Sequence, residues 1–424
     1  MRTFLYRLIF GLIICVLLWN TAVGLNDYFS GYYSYKDDII CEWLVNYEGG
    51  VIRRGITGQL LYWFYQIRPY PVSDTIVFIF YVGVVLLLFF LIKMFVKRGW
   101  SLFLLPFPAF LFTFLGYRFL ISRRDAWMLL LACLFFFLYK KYVSNRSLWF
   151  LVGMNLIIVL GMLIYESILF FVFPIVFFHF LWMKCQGNDI NVIKTIVVWL
   201  PSLLMPFIIL ECAGTQQMTI EMMQSWMPLF TRYPMGDAFA VEDIYLYNWI
   251  GQPLLDHMRG VLNEGWFSSS MFILPRWIFN IYMFIAIYYL TTRLNTVNLK
   301  FNKLKQYDVV QLSNVVIIQF LFLLPYILFL SDDMARNMTY WTVSSFMFFY
   351  FFGDSKFSPD WMNRLSSKIQ NAIQRNRFLS NPYTYLIVLL TLPLEFHGGG
   401  LKMIFPIIPQ EIKHIVASYV QPLV

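Results

Sequence analysis

Charged residues are scarce in this chain. Only 13% of its 424 residues are Asp, Glu, Lys or Arg, whereas 60% are apolar and 20% are aromatic. A soluble domain carries roughly 25% charged residues, so a water-soluble fold of this size could not cover such a core. A disordered chain is excluded too, because disorder requires low hydrophobicity and high charge. The composition therefore predicts a polytopic membrane protein.

Cysteine and histidine are also rare, with five cysteines and four histidines in the chain. So few of these residues exclude a disulfide scaffold and a protein with several zinc sites. The sequence contains no Walker loop, HExxH, CxxC or Gly-x-Ser-x-Gly motif, and we predict no cofactor and no metal site. Cys41 and Cys212 fall in predicted outer loops and are candidates for one disulfide between them.

Apolar runs long enough to cross a bilayer recur along the chain. A hydrocarbon core about 30 Å thick needs about 20 predominantly apolar residues per helix. The run at 58–67 is too short to span and is expected at the bilayer surface. The fold class predicted is all-α: a single transmembrane domain, 1–424, with about eleven membrane-spanning helices. The expected spans are 4–22, 74–96, 102–120, 125–142, 147–165, 167–183, 193–211, 271–292, 309–330, 337–352 and 383–396.

Lys and Arg are distributed unequally between the loops that these spans define. With the N-terminus in the cytoplasm, every inner segment is basic, whereas the outer segments together are net acidic. Basic loops remain in the cytoplasm, so this orientation is predicted. The net charge of +9 is then a topological signal, and no nucleic-acid partner is expected. Two long loops, 23–73 and 212–270, lie on the outer side.

The sharpest local signal is the segment Trp43–Gly55, WLVNYEGGVIRRG, in the first outer loop. Its paired glycines permit positive φ and close backbone approach. Arg53 and Arg54 are able to make charge-assisted, bidentate bonds to phosphate, and nearby Glu48 could pair with an arginine or take a proton. The alternative is a glycine turn whose arginines reach lipid headgroups. Because positive charge is disfavoured on this side, the pattern favours a ligand-binding role.

Three further charged clusters lie at the outer ends of predicted spans. The hairpin between the third and fourth spans holds three arginines. The turn after the fifth span carries Glu166, which is costly beside apolar helices unless paired or used; it is a candidate general base, an arginine partner, or a helix-end carboxylate in water. In the hairpin at 331–337, Asp333 and Arg336 could share a helix face. The residues of these clusters are Arg118, Arg123, Arg124, Asp125, Tyr165, Glu166, Ser167, Asp332, Asp333 and Arg336.

The large outer loop contributes Arg232 and His257, and Arg276 enters the span that follows it. Histidine suits proton transfer near neutral pH, although a lone loop histidine is more often incidental. The loop's tryptophans are expected either in the interfacial aromatic belt or stacked on sugar rings.

The charged residues that need an explanation therefore gather on one face, at the outer ends of apolar helices. Arginines interleaved with carboxylates suit an anionic headgroup attached to a lipid chain. This pattern is typical of sugar transfer from a polyprenyl-linked donor, in which arginines stabilise the diphosphate or monophosphate leaving group.

The segment NYEGGVIRRGITGQL resembles the Asn-x-(Asp/Glu)-Gly-Gly-Phe-x-Arg-Arg-Gly-Leu-x-Gly motif of bacterial Wzy-type repeat-unit polymerases. Those proteins are similar in architecture to O-antigen ligases and to membrane glycosyltransferases of the C superfamily. SRRDAWMLLL resembles their Gly-Arg-(Lys/Arg)-(Asp/Glu) hairpin, and SDDMARN resembles their Asp-Trp-Gly-Arg segment. Two departures are visible: Tyr165 stands where the family tends to have histidine, and Met334-Ala335 replaces Trp-Gly.

The resemblance implies polymerisation of undecaprenyl-diphosphate-linked oligosaccharide units on the outer face of a bacterial inner membrane. The expected partners are that lipid-linked substrate, membrane lipid and a chain-length regulator. The residues expected to bind diphosphate are Arg53, Arg54, Arg123, Arg124 and Arg336, with Arg232 or Arg276 from the large loop. The candidates for activating the acceptor hydroxyl are Glu48 and Glu166, followed by His257 and Asp333.

Three other kinds of membrane protein are alternatives to a polymerase. A C-superfamily glycosyltransferase would add a single sugar from a polyprenyl monophosphate. A flippase or exporter of lipid-linked sugar would form no glycosidic bond and would need arginines inside its spans, where they are scarce here. A membrane acyltransferase would need a reactive histidine near a span, and His179 is the embedded one.

Overall fold

The fold was obtained as a computed structural model of the 424-residue chain. It describes residues 2–31, 38–104, 123–188, 191–211, 214–234, 276–297, 304–329, 334–354, 358–397 and 400–403.

The described residues are overwhelmingly helical. The helices are α1 (Arg2–Phe29), α2 (Asp38–Cys41), α3 (Ile56–Ile67), α4 (Val72–Arg98), α5 (Asp125–Asn145), α6 (Leu148–Ile164), α7 (Ile168–Cys185), α8 (Val192–Glu211), α9 (Gln216–Ser225), α10 (Met227–Arg232), α11 (Arg276–Thr292), α12 (Gln306–Phe329), α13 (Met334–Phe352), α14 (Asp360–Arg375) and α15 (Pro382–Leu390). Short 3-10 turns occupy Glu42–Leu44, Trp100–Leu104 and Leu294–Thr296.

Within the described ranges, five helices are long and apolar enough to cross a membrane. They are Val72–Arg98, Asp125–Asn145, Ile168–Cys185, Val192–Ile209 and Gln306–Ile327, and two shorter apolar helices are Leu148–Ile164 and Ile281–Thr292. This confirms an α-helical protein with membrane-spanning character. The full set of eleven spans stays a prediction, because the expected span 102–120 falls mostly outside the described residues.

The C-terminal region differs from the expected span at 383–396. Helix α15 ends at Leu390, and a strand β1 (Pro393–His397) follows, paired antiparallel with β2 (Gly400–Met403). Proline lacks the amide hydrogen that a continuing helix needs and its ring clashes with the preceding turn, so the helix stops before Pro393. The described residues are therefore helical, with one small hairpin at 393–403.

Helix α12 connects the two ends of the bundle. It packs against α7, α11, α13 and α14, while α5 packs against α4, α6 and α13. Near its start, Gln311 donates to Asn363 of α14; near its end, Tyr326 contacts Tyr165 in the turn between α6 and α7. Gln311 and Tyr326 are about 22 Å apart along the axis at about 1.5 Å per residue. We call the end at Tyr165 the arginine end and the end at α14 the amide end.

Candidate functional site

Close backbone packing shapes the loop between the first 3-10 turn and α3. A Cβ atom added at Gly58 would lie 2.0 Å from the carbonyl oxygen of Val45, and one at Gly49 would lie 2.2 Å from that of Met218. Real Cβ atoms are not found so close, so any side chain at either position would push these segments apart. The glycines of this segment therefore allow the loop to fold tightly onto α3 and α9.

Side-chain amides fix the conformation of the same loop. The amide nitrogen of Tyr47 donates to Oε1 of Gln59 at 2.6 Å, and Nε2 of Gln59 donates to Oε1 of Glu48 at 3.0 Å. Asn46 donates from Nδ2 to Oγ of Ser225 at 2.9 Å. Glu48 is exposed, so its carboxylate lies at the outer surface of the loop.

Arg54 is the centre of the buried charge at the arginine end. Its Nε donates to Oε2 of Glu166 at 2.7 Å, and its Nη2 donates to Oε1, which makes the contact bidentate. The guanidinium carbon lies 4.0 Å from the ring centroid of Tyr165, a cation–π distance. Arg54 has φ 66°, a left-handed backbone that a non-glycine residue adopts at some cost. The tertiary contacts hold the residue in this conformation.

Arg53 shares the same carboxylate at longer range. Its Nη1 lies 3.8 Å from Oε1 of Glu166, and Arg53, Arg54 and Glu166 are 5%, 3% and 6% exposed. Two arginines and one carboxylate give this buried trio a formal charge of +1. Charges buried to this extent are retained only when they are paired or used.

The pKa values of the trio follow from that imbalance. Burial by itself raises the pKa of Glu166, but the charge and hydrogen bonds of Arg54, with the charge of Arg53, outweigh it and lower the pKa to about 2. Burial and the neighbouring Arg54 lower the pKa of Arg53 to about 10. Burial also disfavours the charged form of Arg54, yet Glu166 raises its pKa overall. Glu166 is thus ionised at neutral pH, and its charge is committed chiefly to Arg54.

Arg124 links the segment 42–57 to α5. Its Nη1 lies 3.1 Å from Oγ1 of Thr57 and 3.3 Å from the carbonyl oxygen of Arg54, and its Nη2 lies 3.6 Å from Oε2 of Glu42. Arg124 is 3% exposed. Arg53 and Arg54 are adjacent in sequence and Arg124 is distant from them, yet all three lie in one buried region.

Aromatic residues line the inner side of this region. The rings of Phe171 and Tyr340 stack with centroids 4.4 Å apart and an angle of 7° between planes. The hydroxyl of Tyr340 donates to Oδ1 of Asp125, and the hydroxyl of Tyr326 donates to that of Tyr165 at 3.2 Å. These contacts fix the start of α5 against α7, α12 and α13.

Sequence reasoning assigned no role to two neutral polar residues here, Ser167 and Asn337. Both are 0% exposed, and the structure gives no hydrogen-bond partner to the Ser167 hydroxyl or to either amide atom of Asn337. Ser167 lies one helical turn before Phe171, and Asn337 one turn before Tyr340. Because those two rings stack, both residues lie on the outer side of the stack, with Glu166 adjacent in sequence to Ser167. A search for charged residues passes over them, although both lie in the charged segments.

The remaining predicted residues do not join the described cluster or cannot be placed there. Arg123 is half-buried, and Glu48 and Arg232 are exposed. Arg276 and Arg336 belong to α11 and α13, but their side chains are outside the description. Arg118, Asp332, Asp333 and His257 lie outside the described residues. The pairing of Cys41 with Cys212 stays a prediction, since Cys212 is also outside them.

The structure also gives the surroundings of possible metal ligands and of His179. In the part of the chain that the structure describes, no group of three or more His, Cys, Asp or Glu side chains could hold a metal ion. His179 is 2% exposed, and its Nδ1 lies 2.8 Å from the hydroxyl of Tyr139. It packs against Phe352, at the other end of α13 from Asn337. This histidine is thus remote from the arginine end.

Comparison of the chain with protein-family models, with curated proteins and with solved structures finds no match in any of the three. The resemblance to Wzy-type polymerases therefore rests on the sequence motifs alone and stays a prediction.

Proposed function

We propose that this chain is a membrane glycosyltransferase that polymerises undecaprenyl-diphosphate-linked oligosaccharide units at the outer face of a bacterial inner membrane. The observation that carries the proposal is a buried group of three arginines at one end of apolar helices: Arg53 and Arg54 share Glu166, and Arg124 contacts the carbonyl oxygen of Arg54. The proposal includes a glycosyltransferase-C-like architecture with about eleven spans and long outer loops over 23–73 and 212–270.

The charge of the cluster supports a diphosphate ligand. The trio of Arg53, Arg54 and Glu166 has an excess positive charge, and the lowered pKa of Arg53, about 10, reflects burial and repulsion that its neighbours do not offset. A diphosphate beside Arg53 would add negative charge to this trio. In a site shielded from water such an interaction is stronger than in solution. The same arginines would stabilise the charge that develops as the glycosidic bond to the carrier breaks.

The location of the cluster supports a lipid-linked substrate. Arg54 and Glu166 lie directly beside the ends of α6 and α7, the depth at which a polyprenyl carrier presents its headgroup. On α3, next to this loop, Trp63, Phe64 and Ile67 are 55%, 63% and 81% exposed. An apolar helix face beside buried arginines is suited to a ligand with an isoprenoid chain and an anionic head.

Glu166 is better suited to positioning than to proton transfer. A general base works best with a pKa near the operating pH, whereas the pKa of Glu166 is lowered to about 2. We therefore assign Glu166 the role of orienting Arg54. The bidentate contact uses two of the five N–H donors of the guanidinium. Glu48, His257 and Asp333 are then the candidates for activating the acceptor hydroxyl.

Ser167 and Asn337 extend the proposal to the sugar. A hydroxyl and a carboxamide are groups that bind sugar hydroxyls, and burying them without partners costs about 1–3 kcal/mol each. Their position beside Glu166 and outside the Phe171–Tyr340 stack is adjacent to the proposed diphosphate site. We assign them to hydroxyl groups of a bound saccharide.

The test is the chain length of surface polysaccharide in a strain that lacks this protein and carries a plasmid copy. The wild-type copy should restore a ladder of long chains. Arg53→Ala should leave single units and abolish the ladder, with membrane abundance unchanged on immunoblots. Arg53 is preferred to Arg54 because Arg54→Ala would leave Glu166 buried without its main partner.

The matched control is Arg68→Ala, which removes an exposed arginine at the end of α3 and should restore the full ladder. A normal ladder with Arg53→Ala would contradict the diphosphate role. Loss of a single terminal sugar, with chain length unaffected in the deletion strain, would instead identify a monomeric glycosyltransferase. Accumulation of units on the cytoplasmic side would indicate a flippase.

A further inference from the structure

Helix α14 packs against the bundle through a face that is half polar. Its buried residues are Met362, Ser366, Gln370 and Ile373. They recur at intervals of three and four residues, which places them on one side of the helix. Two of the four carry side chains that form hydrogen bonds, so burial of this face depends on polar partners as well as on apolar contact.

Those partners are neutral side chains near the start of α12. Asn314 donates from Nδ2 to Oδ1 of Asn363 at 2.7 Å and accepts at Oδ1 from the hydroxyl of Ser366 at 2.5 Å. Gln311 donates to the same Asn363 oxygen at 2.9 Å, and Asn314 also donates to Oγ of Ser358 at 2.9 Å. This buried network determines which side of α14 faces the protein.

The opposite side of α14 combines large apolar residues with cations. Trp361 is 61% exposed and Leu365 is 48% exposed, and Phe378 just beyond the helix is 71% exposed. Between Trp361 and Arg375 the sequence contains no Asp or Glu. The exposed residues in this stripe are Trp361, Arg364, Leu365, Lys368, Ala372 and Arg375.

This arrangement is the reverse of a helix on a water-soluble protein, where polar residues face solvent and the apolar stripe faces the core. Large apolar residues alternating with cations along one exposed stripe are typical of helices that lie in a membrane interface. Tryptophan also concentrates at the headgroup level of bilayers.

The position of α14 agrees with an interface location. It lies at the amide end, about 22 Å along α12 from the arginine end. Other cations cluster at this end: Arg98 ends α4 and bonds Asp354 after α13, and Arg293 at the end of α11 donates to the carbonyl oxygen of Ser380 at 2.7 Å. The end that carries α14 therefore holds Arg98 and Arg293 as well as the cations of α14.

We propose that α14 lies in the membrane interface and binds the headgroups of anionic phospholipids. Arg364, Lys368 and Arg375 contact lipid phosphates, while Trp361 and Leu365 enter the boundary between headgroups and acyl chains. The partner is a lipid rather than a protein because apolar and cationic residues share a single stripe in which no acidic residue follows Asp360 at the start of the helix, which complements an anionic bilayer surface. This proposal is independent of the enzymatic one.

The test measures lipid affinity of the full chain purified in detergent. The protein is titrated with dioleoylphosphatidylglycerol and, separately, with dioleoylphosphatidylcholine, and the midpoint of thermal unfolding is followed. The wild type should prefer phosphatidylglycerol. Arg364→Gln and Lys368→Gln should each weaken its binding about fivefold, and the double variant about 25-fold, since each cation near an anionic surface contributes about one fivefold factor.

Arg68→Gln, which removes an exposed cation from α3 at the other end of the molecule, is the control and should bind both lipids as the wild type does. Equal affinity of the wild type for the two lipids would overturn the proposal, and so would unchanged phosphatidylglycerol affinity in the double variant. If the variants fail to fold, the salt dependence of the wild type decides: its phosphatidylglycerol preference should fall as NaCl rises, and a salt-independent preference would contradict a charge-based contact.

Discussion

Two arginine–carboxylate pairs lie at opposite ends of the bundle, and they share a bidentate geometry but not an environment. Arg54 and Glu166 are buried, with side chains 3% and 8% exposed. Arg98 and Asp354 pair through Nη1 at 2.5 Å and Nη2 at 2.9 Å, but the Asp354 side chain is 72% exposed. Water can solvate the second pair when it separates and cannot readily solvate the first.

The two pairs differ in the free energy that it costs to keep them. An exposed pair contributes little and costs little to keep. A buried pair requires desolvation of both ions, which is often unfavourable compared with an apolar replacement. At the amide end, neutral side chains around Asn314 hold α14 in place. Since neutral hydrogen bonds are sufficient for packing there, the buried charges at the arginine end are better explained by an anionic ligand.

The largest expected effect comes from Glu166→Gln, which removes the buried negative charge and keeps the shape. Arg53 and Arg54 would then lose the carboxylate that they share, and we expect the free energy of unfolding in detergent micelles to fall by about 3–5 kcal/mol. The measurement is equilibrium unfolding in denaturant. Inorganic pyrophosphate should restore part of this loss and should stabilise the variant more than the wild type.

Arg68→Gln, an exposed charge change nearby, is the matched control and should alter stability by less than about 0.5 kcal/mol. A loss of under about 1 kcal/mol for Glu166→Gln, the value typical of surface pairs, would mean that water reaches this carboxylate. The distinction between the two pairs would then be lost.

An intermediate effect is expected from Asn314→Ala at the amide end. The change removes the acceptor of the Ser366 hydroxyl, whereas Ser358 and Asn363 still bond each other. One buried polar group left unpaired costs about 1–3 kcal/mol. Limited proteolysis should also cut between α13 and α14 faster in this variant. Stability and proteolysis unchanged from the wild type would show that apolar contacts alone hold α14.

The smallest effect is expected from Asp354→Asn. The hydrogen bonds of Arg98 lower the pKa of this largely exposed carboxyl, but solvent screens the pair, and the free energy of unfolding should change by about 0–1 kcal/mol. Raising NaCl should diminish even that difference. If Asp354→Asn lowered the free energy of unfolding as much as Glu166→Gln does, the exposure of Asp354 would not weaken its pair with Arg98.

Sequence reasoning singled out the residues of this buried cluster but not their connections; their role as a site stays a prediction. The motif around Arg53 and Arg54, the hairpin at Arg124 and the turn at Glu166 were each identified, because charge is conspicuous beside apolar helices. Their mutual contacts depend on how α3, α5 and α7 pack, which no local pattern contains. The same limit explains Glu48 and Glu166: they were ranked together as bases, and only burial separates an exposed carboxylate from one committed to an arginine.

The sequence by itself determined that this is a helical protein of membrane-spanning character, because hydrophobic length is a property of each segment alone; its prediction that the basic loops share one side stays a prediction. The tertiary structure decided that Pro393 begins a strand, that Ser366 and Gln370 of α14 face inward, and that Arg53 and Arg54 share one buried carboxylate. Those outcomes depend on which groups lose contact with water together, and desolvation is a property of packed neighbours rather than of any single stretch of chain.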